Sequence, residues 1–215
     1  MTAALGWSEQ RGLAKLLAYG PAPARRPDWA AAKWFSVASD SFDIRAAYAA
    51  LEEMVSNISP EFSTAMQTEI KNASTQAGID LKRELVGSLG SDLLVAQSLP
   101  PSADPAKPPA VAQADTLIAL SLENPAALTK SLEAIKRMIF EDAVDQLFTK
   151  REYLGQTLFT FSPPVPAGAP PSAAPGGFSY AVANRTLLLS FGSPAMVETA
   201  VQNMAEKRDS FWARR

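Results

Sequence analysis

A serine beside a lysine is the first pairing in this sequence that could do chemistry, because a lysine amine can take the hydroxyl proton and leave an oxygen nucleophile. Two such pairs are present, Lys130 with Ser131 and Lys82 with Ser88. Neither has the Ser-x-x-Lys spacing that brings amine to hydroxyl, so neither is assigned a catalytic role. Carboxylates cluster at Glu52-Glu53 and at Glu141, Asp142 and Asp145. A carboxylate pair hydrolyses glycosides only when the two groups face each other across a cleft with separated pKa values. These acids fall on predicted helical surfaces, where adjacent residues point in different directions. Gly87-Ser88-Leu89-Gly90-Ser91, with Lys82 and Arg83 nearby, is a glycine-rich stretch that could cradle an anion. It lacks the Lys-Ser/Thr of a phosphate loop and does not carry a strand into a helix. Its glycines are read instead as ending a helical turn and reversing the chain into a strand at Leu93.

The missing residue types narrow the field further. The 215 residues include no His and no Cys. The commonest general base, the thiolate nucleophile and the preferred zinc, copper and iron ligands are therefore absent. Metalloprotease, Cys-His protease, Ser-His-Asp hydrolase and dithiol redox chemistry each lack a required atom. A formal net charge of −2 gives no basic excess to draw the chain onto nucleic acid. The reading is of a chain that is not an enzyme, with no catalytic, cofactor-binding or metal-ligating residue assigned and no cofactor expected.

The elements that carry these residues follow from periodicity. Hydrophobic residues make up 47% of the chain, enough for a core. Three strand-like runs lead into amphipathic helices, one through Phe42-Asp43-Ile44, one through Leu122-Glu123-Asn124-Pro125 and one through Phe191-Gly192-Ser193-Pro194. Asp43, Asn124 and Ser193 are good helix N-caps, and Pro125 and Pro194 suit the first helical position. Apolar residues recur at the same offsets from each cap: Ala47, Leu51 and Met54; Leu128, Leu132 and Ile135; Val197, Val201 and Met204. The opposite faces carry Arg45, Glu52 and Glu53, then Lys130, Glu133 and Arg137, with Glu133 and Arg137 placed for an i,i+4 ion pair. A further helix opens at Ser59-Pro60 and closes at Gly78, with Phe62, Met66, Ile70, Ala73 and Ala77 along one side. A helical turn is expected from Asp80 to Leu89.

Strands are expected at 33–39, 93–99, 116–122, 153–162, 178–183 and 186–191, the last two joined by a tight Asn184-Arg185 turn. The fold class this implies is α+β, a mostly antiparallel sheet packed against helices and built from repeated strand-helix units. With each long helix lying antiparallel to its preceding strand on one face, the strands at Trp34, after Asp115 and after Arg185 are expected to run parallel. The proline-rich loops at 100–114 and 163–177 are then expected at opposite ends of the sheet. They read as surface insertions, since neither places an aromatic or basic residue usefully beside a PxxP pattern. The organisation is an N-terminal arm (1–28), one domain (29–206) and a C-terminal tail (207–215). Trp7, Trp29, Trp34 and Trp212 lie toward the chain ends, where aromatics dock an arm onto a core. No apolar run reaches the length of a membrane span, and Gly12–Gly20 is too short and interrupted to be a signal core.

Residues 78–96 (GIDLKRELVGSLGSDLLVA), 114–135 (ADTLIALSLENPAALTKSLEAI), 151–161 and 178–201 resemble an uncharacterised family of exported bacterial proteins, a domain of unknown function. The resemblance covers roughly 29–204. It implies a periplasmic or otherwise extracytoplasmic protein, with no catalytic residues to carry over. The closing run from Lys207 to Arg215 looks like the opening of a further repeat, so a piece of a longer exported protein is expected. The functional expectation is a non-enzymatic structural or interaction module of a larger envelope protein, with other envelope proteins or further repeats of the same chain as partners. The alternative is a carrier or sensor holding an apolar small molecule between sheet and helices, lined by Met54, Phe62, Met66 and Ile70.

Overall fold

The computed structural model describes residues 24–99, 114–164, 177–206 and 208–213. Its centre is one seven-stranded sheet in the order β1-β2-β3-β7-β6-β5-β4. The strands are β1 (Ser36–Ser41), β2 (Leu89–Ser98), β3 (Asp115–Leu122), β4 (Phe148–Tyr153), β5 (Gln156–Phe161), β6 (Phe178–Ala183) and β7 (Thr186–Phe191). The helices are α1 (Ile44–Ile58), α2 (Pro60–Ala77), α3 (Pro125–Phe140), the single turn α4 (Val144–Leu147) and α5 (Ala195–Glu206). Every neighbouring strand pair is antiparallel, so the fold is α+β with an antiparallel sheet.

Alternation along the strands gives the sheet two apolar faces. Register aligns Leu94, Ala119, Leu188, Ala181 and Leu158 in one row across five strands, with large and small side chains interleaved. All five are buried in one cluster with Met196, Val197, Ala200 and Val201 of α5 and with Ala30, Ala31 and Trp34. The α5 residues recur at i, i+1, i+4 and i+5, a single helix stripe. On the other face lie Phe148, Phe159, Phe161, Phe178 and Tyr180, against which α3 packs through Lys136 and Phe140. Helix α2 touches α3, and α1 touches β2, so the α1–α2 hairpin lies beside α3. The molecule thus has helices on both faces of the sheet.

The chain ends close over the α5 side. Trp34 is 1% exposed and stands edge-on to Trp29, with centroids 6.3 Å apart. Ser210 bridges to Ala31, the Phe211 amide donates to Ala30 O at 2.7 Å, and Trp212 Nε1 donates to Pro27 O at 3.0 Å. The docking expected of the terminal aromatics is realised by Trp29, Trp34 and Trp212, while Trp7 lies outside the described residues.

The expected caps form at Asp43 and Asn124, while α5 starts one residue later than the sequence places it, its first bond running from the Glu198 amide to Pro194 O, with Ser193 just ahead of the helix. Asp43 Oδ1 accepts from the Ala46 amide at 3.0 Å, Asn124 Oδ1 from Ala127 at 3.1 Å and Ser193 Oγ from Ala195 at 3.2 Å. Ser59 caps α2 in the same way, and Gly78 ends it at φ 67°. Beyond their caps the helices are placed differently. Helix α5 lies on the sheet face opposite α3, and β7 runs antiparallel to β3 where a parallel course was expected. β1 and β3 do run parallel, each being antiparallel to β2.

One strand accounts for the changed direction of β7. The sequence reading places a single strand at 153–162, whereas the chain forms a hairpin, β4 then β5, turning at Leu154-Gly155 with φ of 49° and 74°. The added reversal inverts the direction of β5, β6 and β7. It also brings the two proline-rich insertions to one end of the sheet, since Phe161 pairs with Phe178, Phe178 with Phe191, and Phe191 with Thr116. Most of those insertions lies outside the described residues.

Smaller differences concern β2 and the turn before it. Leu81–Leu85 forms one wide π-type turn and Val86–Ser88 a tight 3₁₀ turn, so β2 begins at Leu89. Gly90 lies inside the strand at a register shift, where a Cβ would meet the Ser121 side chain and backbone.

Candidate functional site

The residues singled out for chemistry are each held elsewhere. Ser88 is buried and its hydroxyl donates to Glu84 O, while Lys82 Nζ binds Glu52 Oε2 at 2.6 Å. That bond to Glu52 raises the Lys82 pKa, and Lys82 also lies 5.6 Å from the Tyr48 ring. Lys130 Nζ reaches Glu84 Oε2 at 2.9 Å, which together with the Asp80 amide holds the Glu84 carboxyl below the usual range. Ser131 is fully buried without a hydrogen-bond partner for its hydroxyl. Neither Ser/Lys pair is assembled. Glu141, Asp142 and Asp145 are exposed around the end of α3. Glu133 pairs with Lys136 at 2.6 Å, not with Arg137.

Lys136 is a residue that the sequence reading passed over, although its place four residues after Leu132 and eight after Leu128 puts it on the apolar stripe of α3. It is 6% exposed. Its Nζ stands 3.9 Å from the Phe159 centroid, 5.3 Å from Phe148 and 5.6 Å from Tyr180, so three ring faces and one carboxylate surround the charge. Phe159 stacks on Tyr180 with centroids 4.9 Å apart and an interplanar angle of 14°. The Tyr180 hydroxyl is buried and unpartnered. Burial, followed by the nearby Glu133 charge, pushes its pKa well above the ordinary phenol value. A cavity of about 190 Å³ adjoins this group, between α3 and β5–β6.

At the end of the sheet opposite the proline-rich insertions lies a wider cleft of about 950 Å³. Its walls carry opposed charges that are already engaged. Arg25 faces Asp92 at 3.6 Å, and Arg185 donates to Glu123 O at 2.8 Å. The Asn184-Arg185 turn on its rim has φ of 45° and 60°, the tight turn that the sequence predicts.

The α1–α2 hairpin carries the two most exposed large apolar side chains among the described residues, Ile58 and Phe62. Helix α1 has no fully buried residue, and α2 has one, Ser63. Ile58 is 77% exposed, Phe62 61% and Leu51 37%. Met54, Met66 and Ile70, which the carrier reading places in a ligand pocket with Phe62, are half-buried. Ile70 lines an open cleft shared with Glu52, Lys71, Lys82 and Arg83. Periodicity finds the apolar stripe of each helix, but only the tertiary arrangement reveals that no layer of the described chain covers its outer part.

No family model, curated protein or solved structure matches this chain. Among the described residues, no helix is long and apolar enough to cross a membrane.

Proposed function

We propose that the chain is a non-enzymatic interaction module of a larger exported or envelope-associated bacterial protein. The observation that carries this reading is the α1–α2 hairpin, whose 15- and 18-residue helices contribute Ser63 as their one fully buried residue and leave Ile58 and Phe62 in solvent around the Ser59-Pro60 corner. An isolated helix of this length is marginal in water, so a hairpin that buries so little is stabilised chiefly by what docks on it. Large exposed apolar side chains close together mark such docking surfaces. The likeness of 78–96 and 114–135 to exported bacterial proteins supports the compartment.

In-cell photo-crosslinking tests the reading. A photoreactive residue at Phe62 should give one discrete adduct in the envelope fraction, which Ile58→Glu abolishes, while the same probe at Lys150 on the far sheet edge gives none. Adducts equally abundant at both positions, or indifferent to Ile58→Glu, would sink it.

A further inference from the structure

The two edges of the sheet are protected unequally. An edge strand offers unpaired amides and carbonyls to any passing strand, and proteins blunt it with charge, proline, bulges or a covering element. β4 carries Lys150, Arg151 and Glu152 in succession, and Arg151 is tied to Glu198 of α5. β1 reads Ser-Val-Ala-Ser-Asp-Ser, without lysine, arginine or proline. The Phe42 amide donates to Ser91 O at 2.7 Å, in register with the β1–β2 ladder. The even-numbered residues of β1 therefore turn their backbone groups toward β2, and Val37, Ser39 and Ser41 turn theirs outward. The Ser41 amide is taken by Asp40 Oδ1 at 2.8 Å. Val37 and Ser39 have no backbone partner on the outer side among the described residues.

We propose that β1 is a self-pairing edge, through which two copies of this chain join their sheets antiparallel about a dyad at Ala38. This goes beyond the hairpin reading and uses a different surface. In that register Val37 exchanges hydrogen bonds with the second copy's Ser39, and Ser39 with its Val37. Ala38 meets its own copy at the close, non-hydrogen-bonded position, where a small side chain fits. Asp40 falls opposite Ser36, and the two Asp40 carboxylates sit four residues apart along the pair, about 14 Å at ~3.4 Å per residue. The symmetric register thus keeps like charges apart and pairs five of the six strand residues, Ser36 to Asp40. A second copy satisfies this arrangement with the sequence already present. The strand is short, so the contact falls at the small end of specific interfaces and association is expected at high micromolar protein.

Sedimentation velocity over a micromolar-to-millimolar series of the whole chain should show a reversible monomer–dimer equilibrium. Ala38→Lys, which brings two ammonium groups together at the dyad, should weaken it at least about tenfold. Val37→Pro removes an outward-facing amide without touching the β1–β2 ladder and should do the same. Thermal unfolding of dilute protein should match the parent for at least one of them. Because the chain has no cysteine, Ala38→Cys should form an intermolecular disulfide much faster than Leu154→Cys at the opposite edge. A chain monomeric throughout the series, or a dimer indifferent to both β1 substitutions, overturns the proposal. Ile58→Glu should leave the equilibrium unchanged, so failure here and failure of the hairpin reading are separate results.

Discussion

Replacing Tyr180 by phenylalanine should make this protein more stable by about 1 kcal/mol, the opposite of what a core substitution usually does. Tyr180 is 7% exposed and its hydroxyl has no hydrogen-bond partner. A buried donor left unmade costs roughly 1–3 kcal/mol relative to water. Phenylalanine removes that cost while keeping the ring that stacks on Phe159 at 4.9 Å and lies 5.6 Å from Lys136 Nζ. The one-atom gap left behind forfeits contacts worth some tenths of a kcal/mol at ~0.1–0.2 per atom pair, which brings the net gain toward the lower end. Urea unfolding with linear extrapolation should show a higher midpoint at unchanged slope, and Tm should rise by about 2–4 °C for a domain of this size. There is also a pH signature. The folded-state pKa of Tyr180 is raised by burial and then by Glu133, whereas an unfolded tyrosine ionises near pH ~10. Its contribution is therefore fully present below about pH 10 and declines as pH rises and the unfolded chain ionises first. Tyr180→Phe lacks that decline, so its advantage should widen in alkali. A variant less stable than the parent by about 1 kcal/mol would refute the reasoning by showing that the hydroxyl makes a bond in the folded state.

Three other substitutions probe the packing. Gly192 sits at φ 97° with Asp115 Oδ1 where a Cβ would go, and that oxygen accepts the Ser193 amide at 2.9 Å. Gly192→Ala should cost about 2 kcal/mol or more in urea unfolding, from positive φ and loss of the Asp115 bond together. Lys136→Met keeps the volume and exchanges a nearly buried ion pair for an apolar contact, so its unfolding midpoint should be unchanged or higher; a loss of about 3 kcal/mol would mean that the cation between the rings is indispensable. Trp34→Ala empties a site 1% exposed between β2, α5 and the terminal segments. It should destabilise by about 3–5 kcal/mol in calorimetry or denaturant unfolding.

Legibility in the sequence depends on how local each signal is. The caps at Asp43, Asn124 and Ser59, the αL stop at Gly78 and the Asn184-Arg185 turn are decided within four residues, and all are found where the sequence places them. β6 and β7 keep their expected bounds because each alternates against two neighbours. β4 escaped notice because only Phe148 of its six residues is buried. An edge strand with Lys150, Arg151 and Glu152 in solvent is chemically the same as a solvated helix end. The positive φ at Leu154 added to the difficulty, since leucine does not advertise a left-handed turn. From that one omission come the wrong direction of β7 and the misplaced proline-rich insertions, while the β6–β7 hairpin forms as the sequence places it. Topology is less robust than class because each reversal inverts everything after it.

The surfaces were harder to read than the fold for a related reason. Helices α1, α3 and α5 carry apolar residues at matched offsets, and nothing in those offsets distinguishes their fates. Val201 is buried against the sheet at 2% exposure, yet Leu51 at the same offset in α1 remains 37% exposed, and Leu128 of α3 is buried against the other face. The difference lies in what each helix faces. α5 and α3 lie across strands of the sheet, whereas α1 meets β2 near the sheet's edge and otherwise packs on α2, itself almost unburied. An apolar stripe is a demand for a partner, and periodicity records the demand without recording whether the same chain meets it. Where the described chain does meet it, as for Val197, the residue belongs to the core; at Ile58 and Phe62 the demand remains open, and the physical case for an external partner rests on that inequality between helices of the same design.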